Sequence, residues 1–232
     1  MILTSPMPFR EALQRNAVRA IMPTNMSTAE LQELNRSILE RSFFSARNTM
    51  TDVLEKAKAG VEGLVSGETD QATVRLELKK ILAELDYRPE GEEGTIKDLS
   101  SDRRIDLVIE TNTEIAQGYG HWRQGQDEEV LDAWPAQELF RAESREQERD
   151  WVQRWRLAGG RVTSDGRMIA LKNDAVWDLL GDTSLFPDGL GAPYPPFAFG
   201  SGMDVRDVSR EEAVELGLIG AETRIEPVLK EF

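Results

Sequence analysis

The chain has 232 residues, of which 40% are hydrophobic and 30% charged, with a net charge of -14 and a mean hydropathy of -0.45. That is enough apolar material for one large or two small folded domains, and no apolar run approaches the roughly 20 residues that a bilayer demands. With no cysteine and one histidine, disulfides and zinc sites built on thiolates or several imidazoles are excluded, any metal must be a hard cation held by carboxylates, and the excess negative charge argues against direct nucleic-acid binding.

The first 98 residues read as a helical region. Charge comes too early in MILTSPMPFREALQRN for a signal peptide, so synthesis in a cytoplasm is expected. Pro8 suits a first helical turn, and Phe9, Leu13, Ala17 and Ile21 follow at helical spacing until Pro23 stops the segment. Ser27-Thr28-Ala29-Glu30 has the pattern of a capping box, with Leu31, Leu34 and Ile38 behind it. Leu54, Ala57, Val61, Leu64 and Val65 mark a third helix that Gly67 closes. Thr69 is placed to cap a fourth, with Val74, Leu78, Ile81, Leu82 and Leu85 on its apolar face. Antiparallel packing is the simplest way to bury these stripes. Arg88–Asp98, RPEGEEGTIKD, lacks periodicity and predicts a linker or exposed loop. A domain division after residue 98 follows, although a helix opening near Ser101 can still pack on the first bundle.

Residues 99–232 change character. Ile105–Gln126 is an amphipathic helix with Ile105, Val108, Ile109, Ile115, Ala116, Tyr119 and Trp122 near one stripe, capped by Ser100 or Ser101. Gly118 and Gly120 weaken its end by about 1 kcal/mol each, so packing or a close approach by another backbone is expected there. Ala136–Ala142 reads as a short strand with Leu139 inward, and Ser144–Ala158 as a helix with Trp151 and Trp155 one turn apart, stopped by Gly159-Gly160. Arg161–Leu171 predicts a β-hairpin turning at Asp165-Gly166. A short helix covers Asp174–Leu180. Phe186–Met203, FPDGLGAPYPPFAFGSGM, is a long Pro/Gly/aromatic loop of the kind that is usually functional or partner-bound. Ser209–Glu212 repeats the capping-box pattern before Gly217, and ETRIEPVLKEF is an extended tail. The fold class expected is α+β, predominantly helical: an N-terminal helical region with its linker at 88–98, then a smaller α+β region with a hairpin and a long loop.

Catalytic signatures are sparse. His121, between Gly120 and Trp122, has no evident nucleophile or orienting acid beside it in sequence, and packing or one structural hydrogen bond is its plainer role. Glu110 and Glu114 lie one helical turn apart, where like charges repel unless a cation intervenes, and Arg103, Arg104 and Arg123 are near. Glu92-Glu93 and Asp127-Glu128-Glu129 read as solvated charge. There is no GxxxxGK[ST], no GxGxxG after a strand and no GxSxG. The tryptophans of the second half are expected to fill a small core. Tyr194, Phe197 and Phe199 either clamp their loop onto the domain or contact a partner, and are the candidate partner-binding residues. No catalytic residue, cofactor or metal is assigned.

Several segments together resemble the Mu F-like minor head proteins of tailed phages: FFSAR at Phe43–Arg47, GLVSGE, DLSSDRR, TNTEIAQGYGHWRQ, AWPAQELFRAES, GRMIALKND and YPPFAFGSGMDVRDVSREEA. Many members of that family carry a motif like HPNCRC where this chain has YPPFAFGSGM, so no metal or redox role of that motif carries over. The resemblance implies a virion or procapsid component of low copy number, assembled in a bacterial host cytoplasm. It implies contacts with the portal, the major capsid protein or further copies of itself, and no direct contact with nucleic acid or membrane. The alternatives are a head-to-tail adaptor and a prophage-linked carboxylate-dependent nuclease or hydrolase.

Overall fold

The computed structural model describes residues 9–89, 92–145 and 148–229. The fold is α+β with helices dominant, and the chain forms two compact units, 1–120 and 121–232. The division falls later than the expected one at residue 98. The cause is the long helix, whose Ile105, Ile109 and Ala116 are buried in the core of the first unit.

In the first unit, α1 (Arg10–Ala17) is followed by β1 (Ala20–Ile21), α2 (Thr28–Gln32), α3 (Arg36–Glu40), β2 (Ser42–Phe43), α4 (Thr51–Ser66), α5 (Gln71–Glu84) and α6 (Asp102–Gln124), which runs past the unit boundary. Pro8, expected in the first turn of α1, lies outside the described residues. α4 follows its apolar stripe, and α5 does so except at Leu85, which lies just past the helix and is exposed. Val53, Leu54, Ala57, Val61 and Val65 of α4 are buried, as are Val74, Leu78 and Leu82 of α5. α4 ends as expected: Gly67 takes φ +76°, and Glu68 N–H reaches back to the Gly63 carbonyl at 2.9 Å. The cap of α5 is Asp70 rather than Thr69, its carboxylate accepting from Thr73 N–H at 3.0 Å.

The expected helices around Ile21 and Ile38 are interrupted. Ile21 leaves α1 and pairs in parallel with Phe43. Ser27 and Glu30 do form a capping box, but α2 stops before Leu34, and Asn35 caps a separate α3. Buried polar groups explain the detour. The Arg19 guanidinium donates to the Ser42 carbonyl at 2.8 Å and to Asn112 Oδ1 at 2.6 Å. Arg104 donates to Ser45 Oγ and the Ala46 carbonyl, both at 2.7 Å. Non-local bonds thus tie the 42–46 segment to α6, and helical periodicity carries no trace of them. Ser101 Oγ caps α6 by accepting from Arg104 N–H at 3.1 Å. The close approach expected near the helix end occurs at Gly120, where a Cβ would collide with the Phe9 ring and lie 3.1 Å from the Ala12 nitrogen. Residues 92–97 of the 88–98 loop are exposed, and at its end buried Asp98 accepts from Gly94 and Ser100 N–H.

The second unit holds α7 (Glu128–Ala133), β3 (Ala136–Arg141), α8 (Trp151–Leu157), β4 (Met168–Leu171), α9 (Val176–Leu180), β5 (Met203–Val208) and α10 (Arg210–Glu215). β3 lies central in an antiparallel sheet of order β4-β3-β5. Both of its faces are covered. Leu139 packs with Trp155, Trp177, Phe197 and Met203, whereas Ala136 packs with Ile169, Val208, Ala213 and Ile219. The hairpin expected over 161–171 reduces to the turn at Gly166 and one bridge, Val162 with Met168. The main partner of β4 is β3, because the apolar run Met168–Leu171 is buried by joining the sheet. α8 begins at Trp151, capped by Asp150, and not at Ser144; Glu146 and Gln147 lie outside the described residues. α7 was not expected: Asp127, within the supposed charge run, caps it by accepting from Glu129 N–H at 2.9 Å. Ser209 caps α10. The tail has a turn at 221–222 and no helix or strand from there through residue 229, and its last three residues lie outside the described set.

Candidate functional site: an aromatic loop held by arginines

The loop at 186–203 doubles back on itself. Gly189 and Ala198 form an antiparallel bridge, and Leu190 N–H donates to the Phe197 carbonyl at 2.9 Å. Its aromatics are not equivalent. Tyr194 is 1% exposed and Phe197 fully buried, whereas Phe199 is only half-buried. Phe197 stacks on Trp177 at 6.2 Å, and Trp177 meets Trp155 edge-on at 5.2 Å. Tyr194 lies 6.0 Å from the Trp122 ring. The tryptophans therefore fill a core, as expected, and Tyr194 and Phe197 join them. Of the three residues offered either as clamps of the loop or as partner contacts, these two take the clamping role, because a small unit with a three-stranded sheet needs their rings to close its interior. Phe199 keeps accessible surface, beside exposed Gly200.

Two arginines fix the loop. Arg154, on α8, has a side chain only 6% exposed. It donates to Asp188 Oδ1 at 2.7 Å and through two nitrogens to the Leu180 carbonyl at 3.2 and 2.8 Å. Its guanidinium stacks between the Trp151 and Phe186 rings, 4.8 and 4.0 Å from their centres. Burial draws its pKa below the ordinary arginine value, while the Asp188 carboxylate acts in the opposite sense; it stays protonated regardless. Arg149 takes the other oxygen of Asp188 at 2.9 Å and the Phe199 carbonyl at 2.7 Å. The loop is thus presented as a fixed shape whose ordering cost is met on folding rather than on binding. The sequence points to the aromatics and gives little sign of the arginines. Arg154, between two tryptophans that face inward, is the one hint.

A second polar cluster lies on the face of the sheet that packs on α10. Glu138, 5% exposed in the middle of β3, receives Arg167 at 2.6 Å and Arg206 at 2.9 Å on one carboxylate oxygen. Arg167 also bonds Glu212 of α10 at 2.6 Å. Burial pushes the Glu138 carboxyl up, but the bonds from Arg167 and Arg206 outweigh it and hold the group below its usual range. A carboxylate held in this way is a poor proton acceptor, and the cluster serves to join α10 to the sheet.

His121 is exposed near the end of α6. Glu110 is exposed and accepts from Gln71 Nε2 at 2.8 Å. Among the described residues no group of three or more His, Asp or Glu side chains is gathered to hold a metal ion, and no helix is long and apolar enough to cross a membrane. Comparison with protein-family models, curated proteins and solved structures finds no match for this chain.

Proposed function

We infer that the protein is a minor head protein of a tailed phage or prophage, acting through binding surfaces at the capsid or portal vertex rather than through chemistry. The resemblance to Mu F-like minor head proteins motivates the reading. The observation that carries it is that the resembling segments of the second half are mutual packing partners. AWPAQELFRAES supplies β3, GRMIALKND supplies β4, and GMDVRDVSREEA supplies β5 and α10, all of one sheet layer. From YPPFAF, Tyr194 meets Trp122 of GYGHWRQ. The net charge of -14 supports a protein partner over nucleic acid.

The contact surface in this reading is the part of the loop left outside the core: Phe199, Gly200 and the part-exposed Arg149 that bonds the Phe199 carbonyl. The partners are the portal protein, the major capsid protein or further copies of the chain, and the protein resides in the virion. Co-expression with the portal and capsid proteins of the same phage tests it. The wild type is expected to co-purify with one of them, and Phe199→Ala to weaken that association at least ten-fold while staying folded. Undiminished association of Phe199→Ala removes the loop from the interface.

A further inference from the structure

Segment 221–229 is held to the second unit in an unusual way. After a turn at 221–222 it has no helix or strand, is mostly exposed, and is bound chiefly through its main chain. Arg210 Nη1 donates to the carbonyls of Ala221 and Thr223, at 3.3 and 2.9 Å. The same guanidinium is braced from behind by the Asp132 carbonyl and carboxylate. Asn173 Nδ2 donates to the Glu226 carbonyl at 3.4 Å, and Val228 N–H donates to Gln126 Oε1 at 2.7 Å. Gln126 is itself only 3% exposed. Ile225, Pro227 and Val228 are partly buried, and Ile225 packs against the cluster of Ala136, Ile169 and Val208. Beside this strap, between it and α7, a groove of about 380 Å³ remains open, lined by Glu128, Glu129 and Asp132 on one wall and by Arg224–Pro227 on the other.

These are the contacts of a receptor with an extended peptide: main-chain hydrogen bonds supply affinity, and a side-chain pocket supplies selectivity. We propose that the surface formed by Gln126, Asn173, Arg210 and the Ile225 pocket is an extended-peptide site, filled in cis by the chain's own residues 221–229 as a displaceable strap. Its ligand is a peptide of the strap's own character, with an aliphatic anchor between polar residues. Tethering gives the strap an effective concentration in the millimolar range, so a free peptide competes poorly until the strap is loosened. If the strap leaves, buried Gln126 Oε1 loses the donor supplied by Val228, and an incoming main chain restores it. The inference stands independently of the head-protein reading.

The probe is a fluorescein-labelled synthetic peptide spanning Ile219–Leu229, titrated by anisotropy against full-length protein. Ile225→Asp in the protein loosens the strap and is expected to raise affinity for the wild-type peptide at least ten-fold over the unmodified protein. Adding Arg210→Ala to that variant removes at least ten-fold again. A folded Ile225→Asp protein that binds no better than wild type overturns the proposal, as does binding indifferent to Arg210. A second measurement needs no variant. Millimolar unlabelled peptide added to wild-type protein should accelerate hydrogen exchange at the Val228 amide, which Gln126 holds, several-fold, with the Leu131 amide of α7 unchanged. Unaltered exchange in the strap contradicts the site.

Discussion

Phe197 and Phe199 are two residues apart in one loop and are spent in different ways. The first sits at φ +56° with its ring wholly enclosed against Trp177, and the second keeps an accessible face. Truncating Phe197 to alanine should cost about 3–5 kcal/mol and lower the thermal midpoint measured by circular dichroism. Phe199→Ala should cost less than about 1 kcal/mol. Equal losses from the two would mean that the burial difference is not reflected in solution. Glu138 sets the pH response at the same scale. Its folded pKa lies below the unfolded one, so its stabilisation is complete above the unfolded value of about 4.3 and is lost as pH falls through the folded value. Glu138→Gln should therefore destabilise by about 2–3 kcal/mol at pH 7, and the gap to wild type in thermal melts should narrow below about pH 4.3. A gap that persists unchanged at pH 3 would show that charge is not what Arg167 and Arg206 recognise.

At the level of elements, what the sequence made legible was what local physics decides. The apolar stripes of α4, α5 and α6 emerged at their expected places, as did the caps at Ser27, Ser101 and Ser209 and the stop at Gly67, because each depends on residues within a turn or two. The sheet was legible only in its central strand. β5 was missed although Met203 and Val205 alternate with charged residues, since the run is short and follows a Gly-rich turn. The turn signal at Asp165-Gly166 predicts a local hairpin for β4, whereas its partner is β3, a pairing across about thirty residues that no periodicity encodes. The loop was recognised as special from its composition. The division of labour among its aromatics was not, because burial there depends on Arg149 and Arg154 reaching across from another segment. The edge of the sheet carries its own protection. Val205 N–H is taken by the Asp204 carboxylate at 2.8 Å and Met203 N–H by Ser201 Oγ at 3.1 Å, so β5 offers fewer free donors to an incoming strand. Asp204→Val removes both the charge and one such acceptor. It should lower the temperature at which light scattering rises on heating, and an unchanged onset would show that the edge is guarded by something else.

On the scale of the whole molecule, a chain with a charge of -14 and its aromatics largely enclosed resists non-specific association and binds where a fixed surface is offered. That suits a component present in few copies that must find one vertex of a large shell. The half-exposed tip of the arginine-held loop and the strap at 221–229 are two separate surfaces of the second unit, and the first carries the head-protein reading. The most direct measurement is the protein content of purified particles from the phage or induced prophage that encodes the chain, with copy number determined by quantitative mass spectrometry. The account predicts the chain in procapsids or virions at a low copy number relative to the major capsid protein, retained through density-gradient purification. Its absence from both procapsids and virions, with the gene expressed and the particles otherwise complete, would contradict it.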